Sequence, residues 1–126
     1  MGADCHDFFI EQNRFDDNWW FIGQVNTDRD YIAFGLLAGV RREDLEHIPP
    51  RGYPSNLSWQ TADHAGEDCH SATWLTTDEM VGVQMRYVRE CRYPPYPPLE
   101  YAIVMMRQAE ANHPGKPVRA VFCFDN

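Results

Sequence analysis

Short runs of apolar residues near both ends of the chain predict β-strands. Residues 3–11 and Trp19–Val25 flank the polar stretch Asn13–Asn18, as expected for an antiparallel hairpin. A further apolar run, Val118–Phe124, lies next to the C-terminus. Because the first and the last strand are both short of partners, we expect them to be neighbours in one sheet.

Three other segments predict helices. Apolar residues recur at helical spacing over Tyr31–Val40. The residues Thr76-Thr77-Asp78-Glu79 match a capping box that opens a helix through about Cys91. Pro97-Pro98 suit the first turn of a third helix, over Leu99–Ala111.

Between the first two helices, residues 49–75 contain several prolines and polar residues and predict a long irregular connection, which in a small domain is usually functional or disordered. The order of elements predicts an α+β fold: a small antiparallel sheet, formed by the N-terminal hairpin and the C-terminal strand, with about three helices on one face and a long ordered loop. The length of 126 residues predicts a single domain, 1–126.

The charge and the cysteine pattern of the chain limit the kinds of partner and the compartment that we expect for it. The 19 acidic and 11 basic residues give a net charge of −8, which argues against binding to duplex nucleic acid or to an anionic membrane surface. No stretch approaches the roughly 18 apolar residues of a membrane span. The four cysteines form no C-x-x-C pair, and the N-terminus lacks the pattern of a signal peptide. We therefore expect reduced thiols in a cytoplasmic protein.

The first strand carries the first candidate for chemistry. Asp4 and His6 alternate onto one face of it, so they can bind a divalent metal, or Asp4 can orient His6 as a general base. The alternative is a polar rim at the start of a strand. If the last strand is internal, Asp125 lies beside both residues; otherwise it belongs to a solubilising tail.

A second candidate lies in the long connection. His70 can act as an acid or base in phosphoester chemistry, with hydroxyls such as that of Ser71 holding an oxyanion. Because Trp74 and a capped helix follow at once, we expect His70 to be held in place. The alternative is a solvated loop whose serine and threonine side chains stabilise turns.

Arginine supplies the third candidate, since the chain has ten arginines and one lysine. Arg29 and Tyr31 lie at the start of a predicted helix, where backbone N–H groups favour anions. Arg51-Gly52 lies in a turn restrained by prolines, where glycine allows close approach of a ligand. These residues suit a phosphate. The alternatives are salt bridges within an acidic protein and a genome biased toward arginine codons.

These same residues carry a resemblance. The opening Met-Gly-Ala-Asp-Cys-His, followed in order by Arg29-Asp30-Tyr31, Pro50-Arg51-Gly52-Tyr53-Pro54, residues 70–76 and residues 118–126, resembles a family of small, uncharacterised proteins found largely in bacteriophage genomes. Members of that family open with Met-Gly-Cys-Asp-Ile-His and close with Phe-Asp-Asn. The chain departs from the pattern at Ala72, where the family has a second histidine.

The resemblance points to the residues already singled out on chemical grounds: Asp4, His6, Arg29, Arg51, His70 and Asp125. If the protein binds a metal, the site would use Asp4, His6 and His70, with Asp125 as a further candidate. The resemblance also implies the cytoplasm of an infected bacterial cell. The metal itself, if one binds, is unknown.

Three functions follow from these observations. The first is a hydrolase, most similar to a phosphodiesterase, that acts on a small phosphorylated or nucleotide-like ligand. The second is a sponge, that is, a non-catalytic binding protein that sequesters a nucleotide signal of the host's defence. A sponge could be a homo-oligomer. In it the aromatic residues would grip the base: Tyr31, Tyr53, Trp59 and Trp74. The third is an acidic inhibitor of another protein.

Overall fold

The computed structural model describes residues 2–65 and 69–125, with the backbone alone at Asp16. Its elements, in chain order, are β1 (Asp4–Asn13), a 3-10 turn (Phe15–Asp17), β2 (Trp19–Gln24), α1 (Tyr31–Ala38), α2 (Trp59–His64), β3 (His70–Thr76), α3 (Thr77–Arg89), α4 (Pro97–Asn112) and β4 (Val118–Asp125). The fold is α+β, as the sequence predicts.

The four strands form one antiparallel sheet in the order β2-β1-β4-β3. The N-terminal hairpin is β1 with β2, and the C-terminal strand β4 pairs with β1 from Asp4 opposite Asp125 to Gln12 opposite Val118. The predicted pairing of the first and last strands is confirmed. The middle residues of β1 and nearly all residues of β4 are buried, so the centre of the sheet is covered on both faces.

Three helices cover one face of the sheet. Alternate residues of β1 and β4 point into the main apolar core. Its large buried side chains include Phe8, Ile10, Phe122 and Phe124 from the strands and Phe34, Met80, Leu99 and Met106 from α1, α3 and α4. Asp30 caps the start of α1 through the N–H groups of Ile32 and Ala33. Gly39 ends that helix at a φ of 75°, and a Cβ there would lie 2.4 Å from Nε2 of His47.

A different segment covers the opposite face. The ring of Phe9 packs against that of His64 in α2, with 6.0 Å between the ring centroids. Glu11, also on this face, accepts a hydrogen bond of 2.7 Å from the Ser58 N–H just before α2. The segment that leads into α2 is therefore fixed to the middle of the sheet.

The expectation for residues 49–75 was wrong in part. This stretch contains a short helix, α2, and the edge strand β3, so the described chain has four α-helices rather than about three. Burial alternates at Thr73 and Leu75, but the polar residues around His70 hide this pattern in the sequence. The predicted capping box at Thr76 and Glu79 is confirmed, and it links β3 directly to α3.

The expectation of four reduced thiols also differs from the structure. Cys69 and Cys123 form a disulfide, while Cys5 and Cys91 are free. Cys69 directly precedes His70, which is paired with Phe124 across β3 and β4. Long-range strand pairing therefore brings the two cysteines together, and their spacing of 54 residues gives no sign of it. Among residues 2–65 and 69–125, no helix has both the length and the apolar character needed to cross a membrane.

Candidate functional site

Asp4, His6 and Asp125 meet at the end of the sheet where β1 begins and β4 ends. Asp4 and Asp125 are directly paired, and a β-bulge follows between Asp4 and Asp7. Nε2 of His6 lies 4.0 Å from Oδ2 of Asp4 and 3.9 Å from Oδ2 of Asp125. These three residues are called the end cluster below. Its ligand atoms all lie within 4.8 Å of one another, and the His6 side chain is 70% exposed.

Arg29 flanks the end cluster on the side of Asp4. Its Nε donates to Oδ1 of Asp4 at 3.0 Å, and its Nη2 donates to Oδ2 at 2.9 Å. These hydrogen bonds lower the pKa of Asp4 below its ordinary value, so the carboxylate is ionised at neutral pH. Since a carboxylate oxygen has more than one lone pair, Oδ2 can accept from Arg29 and still face a cation near His6.

Gly2 and Tyr31 lie next to the Arg29 side chain and help to fix its position. A Cβ at Gly2 would lie 2.2 Å from Nη1 of Arg29 and 2.7 Å from Oη of Tyr31, so glycine lets both side chains lie against the start of the chain. The Ala3 N–H donates to Oη of Tyr31 at 3.2 Å. The structure therefore brings the predicted ligand-binding residues Arg29 and Tyr31 next to the end cluster.

His70 and Ser71 lie elsewhere. The His70 ring contacts that of Phe124, with 6.4 Å between their centroids, and Phe124 and Asp125 project to opposite faces of the sheet. Nδ1 of His70 lies 3.0 Å from Oγ of Ser71. Both residues line a cavity of about 350 Å³ together with Arg41. The structure thus does not bring His70 into the end cluster, and a shared reaction or metal with His6 stays a prediction.

A cation–π contact relates this cavity to the end cluster. The Arg41 guanidinium lies 6.0 Å from the centre of the Tyr31 ring, whose hydroxyl lies beside Gly2 and Arg29. Arg29 and Arg41 therefore approach the same tyrosine, one at its hydroxyl and the other at its ring.

Arg51, Gly52 and Trp74 form a separate clamp. Arg51 donates to both carboxylate oxygens of Glu79, at 2.8 and 2.6 Å, and to the Trp74 carbonyl at 3.0 Å. Its guanidinium lies 4.4 Å from the centre of the Trp74 ring. Gly52, at a φ of 81°, donates its N–H to the Ala72 carbonyl. This geometry favours the salt-bridge alternative for Arg51, because a phosphate there would compete with Glu79.

Sequence reasoning missed a buried ion pair at the other end of β1 and β4. Arg119 donates through Nε to Oε1 of Glu11 at 2.8 Å, and its guanidinium stacks on Trp19 at 3.6 Å. Its Nη1 also donates to Oδ1 of Asn56. The sequence does contain a signal for this pair: Glu11 lies on the first apolar strand and Arg119 on the last, and these two strands are expected to be neighbours.

The aromatic residues expected to grip a base are not gathered at one place. Trp59 is 75% exposed and lines a cavity of about 330 Å³ with Trp19 and Trp20, at the end of the sheet remote from Asp4. Oη of Tyr53 is buried and has no hydrogen-bond partner among residues 2–65 and 69–125. Burial, with a smaller effect of the Asp7 charge, raises the pKa of Tyr53 to about 12.

Comparisons of the chain with protein-family models, with curated proteins and with solved structures found no match. The resemblance to bacteriophage proteins therefore stays a prediction. What can be said of the site rests on its geometry.

Proposed function

We propose that the protein is a hydrolase that cleaves a phosphoester in a small, nucleotide-like ligand, with a divalent cation held by Asp4, His6 and Asp125. One observation carries the proposal: two carboxylates and one imidazole offer ligand atoms within 4.8 Å of one another, beside an arginine that is half exposed. Carboxylate and imidazole ligands suit Mn²⁺ and other divalent cations of the first transition row.

The cation would serve two purposes in this reaction. Held by these residues, it would act as a Lewis acid toward the phosphoryl oxygen and would make hydroxide available near neutral pH. In the hydrolysis the oxygen of water would form the new bond to phosphorus, the ester P–O bond would break, and the departing oxygen would take up the proton that the water gave up. Exposure of His6 supports this assignment, because a substrate can approach the cluster from solvent.

Arg29 would hold the phosphate. In the unliganded chain its guanidinium is paired with Asp4. A cation bound to Asp4 neutralises part of that negative charge, which leaves Arg29 able to turn one of its donors toward a phosphate oxygen. Arg41 lies across Tyr31 from it and adds positive charge on the same side of the molecule.

The separation of His6 from His70 favours a second candidate, the sponge. A reaction that needs one histidine as base and another as acid requires both near the same phosphorus, yet their rings lie on opposite faces of the sheet. Arginines and an aromatic ring can hold a nucleotide without any turnover. The sponge, a homo-oligomeric state and a place in the cytoplasm of an infected bacterium stay proposals.

One incubation distinguishes the two candidates. The purified protein is mixed with Mn²⁺ and with cyclic dinucleotides, cyclic oligonucleotides and cyclic NAD-derived compounds, and then filtered; the retained fraction is heated to release ligand. A new product, formed only when Mn²⁺ is present, supports the hydrolase. A compound that is retained and then recovered intact supports the sponge. If every compound stays free and unchanged, both proposals fail for these ligand classes.

Three histidine variants locate the reaction. His6→Ala should abolish Mn²⁺-dependent turnover, because it removes a ligand of the cation. His70→Ala should have the smaller effect, and His64→Ala in α2 is the matched control, since it removes a histidine that belongs to neither group. Loss of turnover in His70→Ala with full activity in His6→Ala would overturn the assignment to the end cluster.

A further inference from the structure

A second group of metal-ligating side chains lies deeper in the same face of the sheet. Oδ2 of Asp7 is 3.2 Å from the sulfur of Cys69 and 3.6 Å from that of Cys123. Together the three residues could hold a metal ion, since their ligand atoms lie within 4.8 Å of one another. Cys123 is buried, and the other two are partly buried. No residue of this group belongs to the end cluster.

Three adjacent strands position these ligands. Asp7 on β1 is directly paired with Cys123 on β4, and Cys69 precedes the first residue of β3, which is paired with the residue that follows Cys123. The Cα atoms of the two cysteines are 5.6 Å apart. Ligands fixed by neighbouring strands of one sheet keep their spacing better than ligands on free loops.

Contacts that do not involve the disulfide hold the segment before α2 against the sheet. Glu11 binds the Ser58 N–H, Arg119 binds Asn56, and Gly52 binds the Ala72 carbonyl. His70 follows Cys69 and is paired with Phe124, which follows Cys123, so cleavage of the disulfide leaves the two cysteines close together. The reduced protein would present two thiols and one carboxylate at a partly buried place.

Such a group suits a soft divalent cation. A carboxylate this close to two thiols opposes their ionisation, unless a positive charge lies between them. Thiolate sulfur selects Zn²⁺ over Mg²⁺ and Ca²⁺, and a carboxylate oxygen is an accepted third ligand of Zn²⁺. The buried Oη of Tyr53 lacks a hydrogen-bond partner within the described ranges, and burial, with a smaller effect of the Asp7 charge, raises the pKa of Tyr53.

We propose that Asp7, Cys69 and Cys123 form a zinc site when the cysteines are reduced, and that oxidation to the disulfide expels the metal. A dithiol reductant gives two electrons to the Cys69–Cys123 bond and becomes a disulfide itself. The two thiols formed release their protons to solvent as Zn²⁺ binds. In the reverse direction a small-molecule disulfide takes two electrons from the thiolates and, with two protons from solvent, becomes a dithiol; the Cys69–Cys123 bond forms, and Zn²⁺ leaves.

The test uses Co²⁺ as a spectroscopic substitute for Zn²⁺. The full chain is reduced with a phosphine, freed of reductant without oxygen, and titrated with Co²⁺ and then with Zn²⁺. We expect one Co²⁺ per chain, a near-ultraviolet charge-transfer band of the strength given by two thiolates, and loss of that band when Zn²⁺ is added. The oxidised protein should give no such band.

Variants assign the ligands. Cys69→Ser should halve the band, and Asp7→Asn should weaken cobalt binding by at least about 10–100-fold. Cys91→Ser is the matched control and should leave both unchanged. The proposal is overturned if the reduced protein gives no sulfur band, or if Cys91→Ser reduces the band as much as Cys69→Ser does. Asp7→Asn keeps both cysteines, so it remains informative if a cysteine variant does not fold. Because none of these variants alters the end cluster, failure here leaves the proposed hydrolase untouched.

Discussion

The two ends of the β1–β4 pair carry the same types of charged residue in opposite surroundings. At one end Glu11 and Arg119 are 0% and 5% exposed, and their partners include Ser58, Asn56 and the ring of Trp19. At the other end Asp4 and Asp125 lie beside a histidine that solvent can reach. Residues 119 and 125 of β4 lie on the same face of the sheet.

The difference shows that burial decides what a charged residue can do. A buried charge is bound to fixed partners and stabilises the fold, whereas an exposed charge can bind a ligand from solvent. Burial by itself lowers the pKa of Arg119, and the hydrogen bond that Arg119 donates to Glu11 opposes that effect. Glu11 and Arg119 also bind Ser58 and Asn56, which fixes the segment before α2. In the end cluster, by contrast, the Arg29 hydrogen bonds are on the surface, and His6 makes no close contact with either carboxylate. The exposed end can therefore change partners at little cost.

The largest effect on stability should follow from breaking the buried pair. Glu11→Gln leaves the Arg119 charge buried without its counter-ion, which costs about 3–5 kcal/mol. Urea denaturation followed by circular dichroism measures the loss. The double variant Glu11→Leu/Arg119→Met should lose less unfolding free energy than Glu11→Leu and Arg119→Met lose in sum, since the double variant leaves no unpaired charge. Additive effects would contradict the coupling.

Breaking the end cluster should affect cation binding far more than stability. Asp125→Asn removes an anionic ligand from an exposed position, so the free energy of unfolding should change much less than in Glu11→Gln. Binding of Mn²⁺, measured by calorimetry, should weaken strongly. Asp63→Asn, on the exposed side of α2, is a control with the same change of charge. Equal losses of affinity in both variants would indicate a diffuse effect of net charge.

The ion pair between Arg51 and Glu79 should add a small, pH-dependent stabilisation. Hydrogen bonds from Arg51 lower the pKa of Glu79 below its ordinary value of 4.5. Folding therefore favours the ionised form, so the stabilisation is full above pH 4.5 and is lost as the pH falls through the lower folded-state pKa. Glu79→Gln, which can keep the capping box, should cost about 1 kcal/mol or less at pH 7.

The pH profile of that variant checks the sign. The difference in unfolding free energy between the parent protein and Glu79→Gln should shrink as the pH is lowered below 4.5. A difference that grows toward acid pH would show that the ion pair does not contribute in the way its geometry indicates.

The smallest effect on stability should come from Gly2→Ala. A Cβ at this position would overlap the guanidinium of Arg29, but the end of a long side chain can move away. We expect almost unchanged unfolding and a weaker hold of Arg29 on Asp4. NMR should detect this as a shift of the Arg29 Nε–H resonance, with the Arg51 Nε–H resonance as the internal control. An unchanged Arg29 resonance would contradict the close approach.

Local chemistry accounts for the parts of the fold that the sequence predicts correctly. Alternating apolar residues, a capping box at Thr76 and a proline start at Pro97 are signals contained within a few neighbouring residues. The α+β class and the β1–β4 pairing followed from them. The proximity of Asp125 to Asp4 followed from that pairing.

Features that depend on long-range contacts could not be predicted in the same way. β3 is rich in polar residues because it is an edge strand, and its pairing with β4 is what joins Cys69 to Cys123. His70 was grouped with His6 on chemical grounds, but alternation along β4 separates their faces. The role of Arg51 depended on Glu79, which is 28 residues away and had been considered only as a helix cap.

The position at which Mn²⁺ binds distinguishes the end cluster from the other acidic groups of the protein. Paramagnetic broadening of backbone amide signals, recorded during a Mn²⁺ titration, reports which residues lie closest to the bound ion. The account predicts that Asp4, His6 and Asp125 broaden first, while Glu11 and Arg119 at the other end of the same strands stay sharp. Even broadening over the acidic surface, or broadening centred on another group, would contradict it.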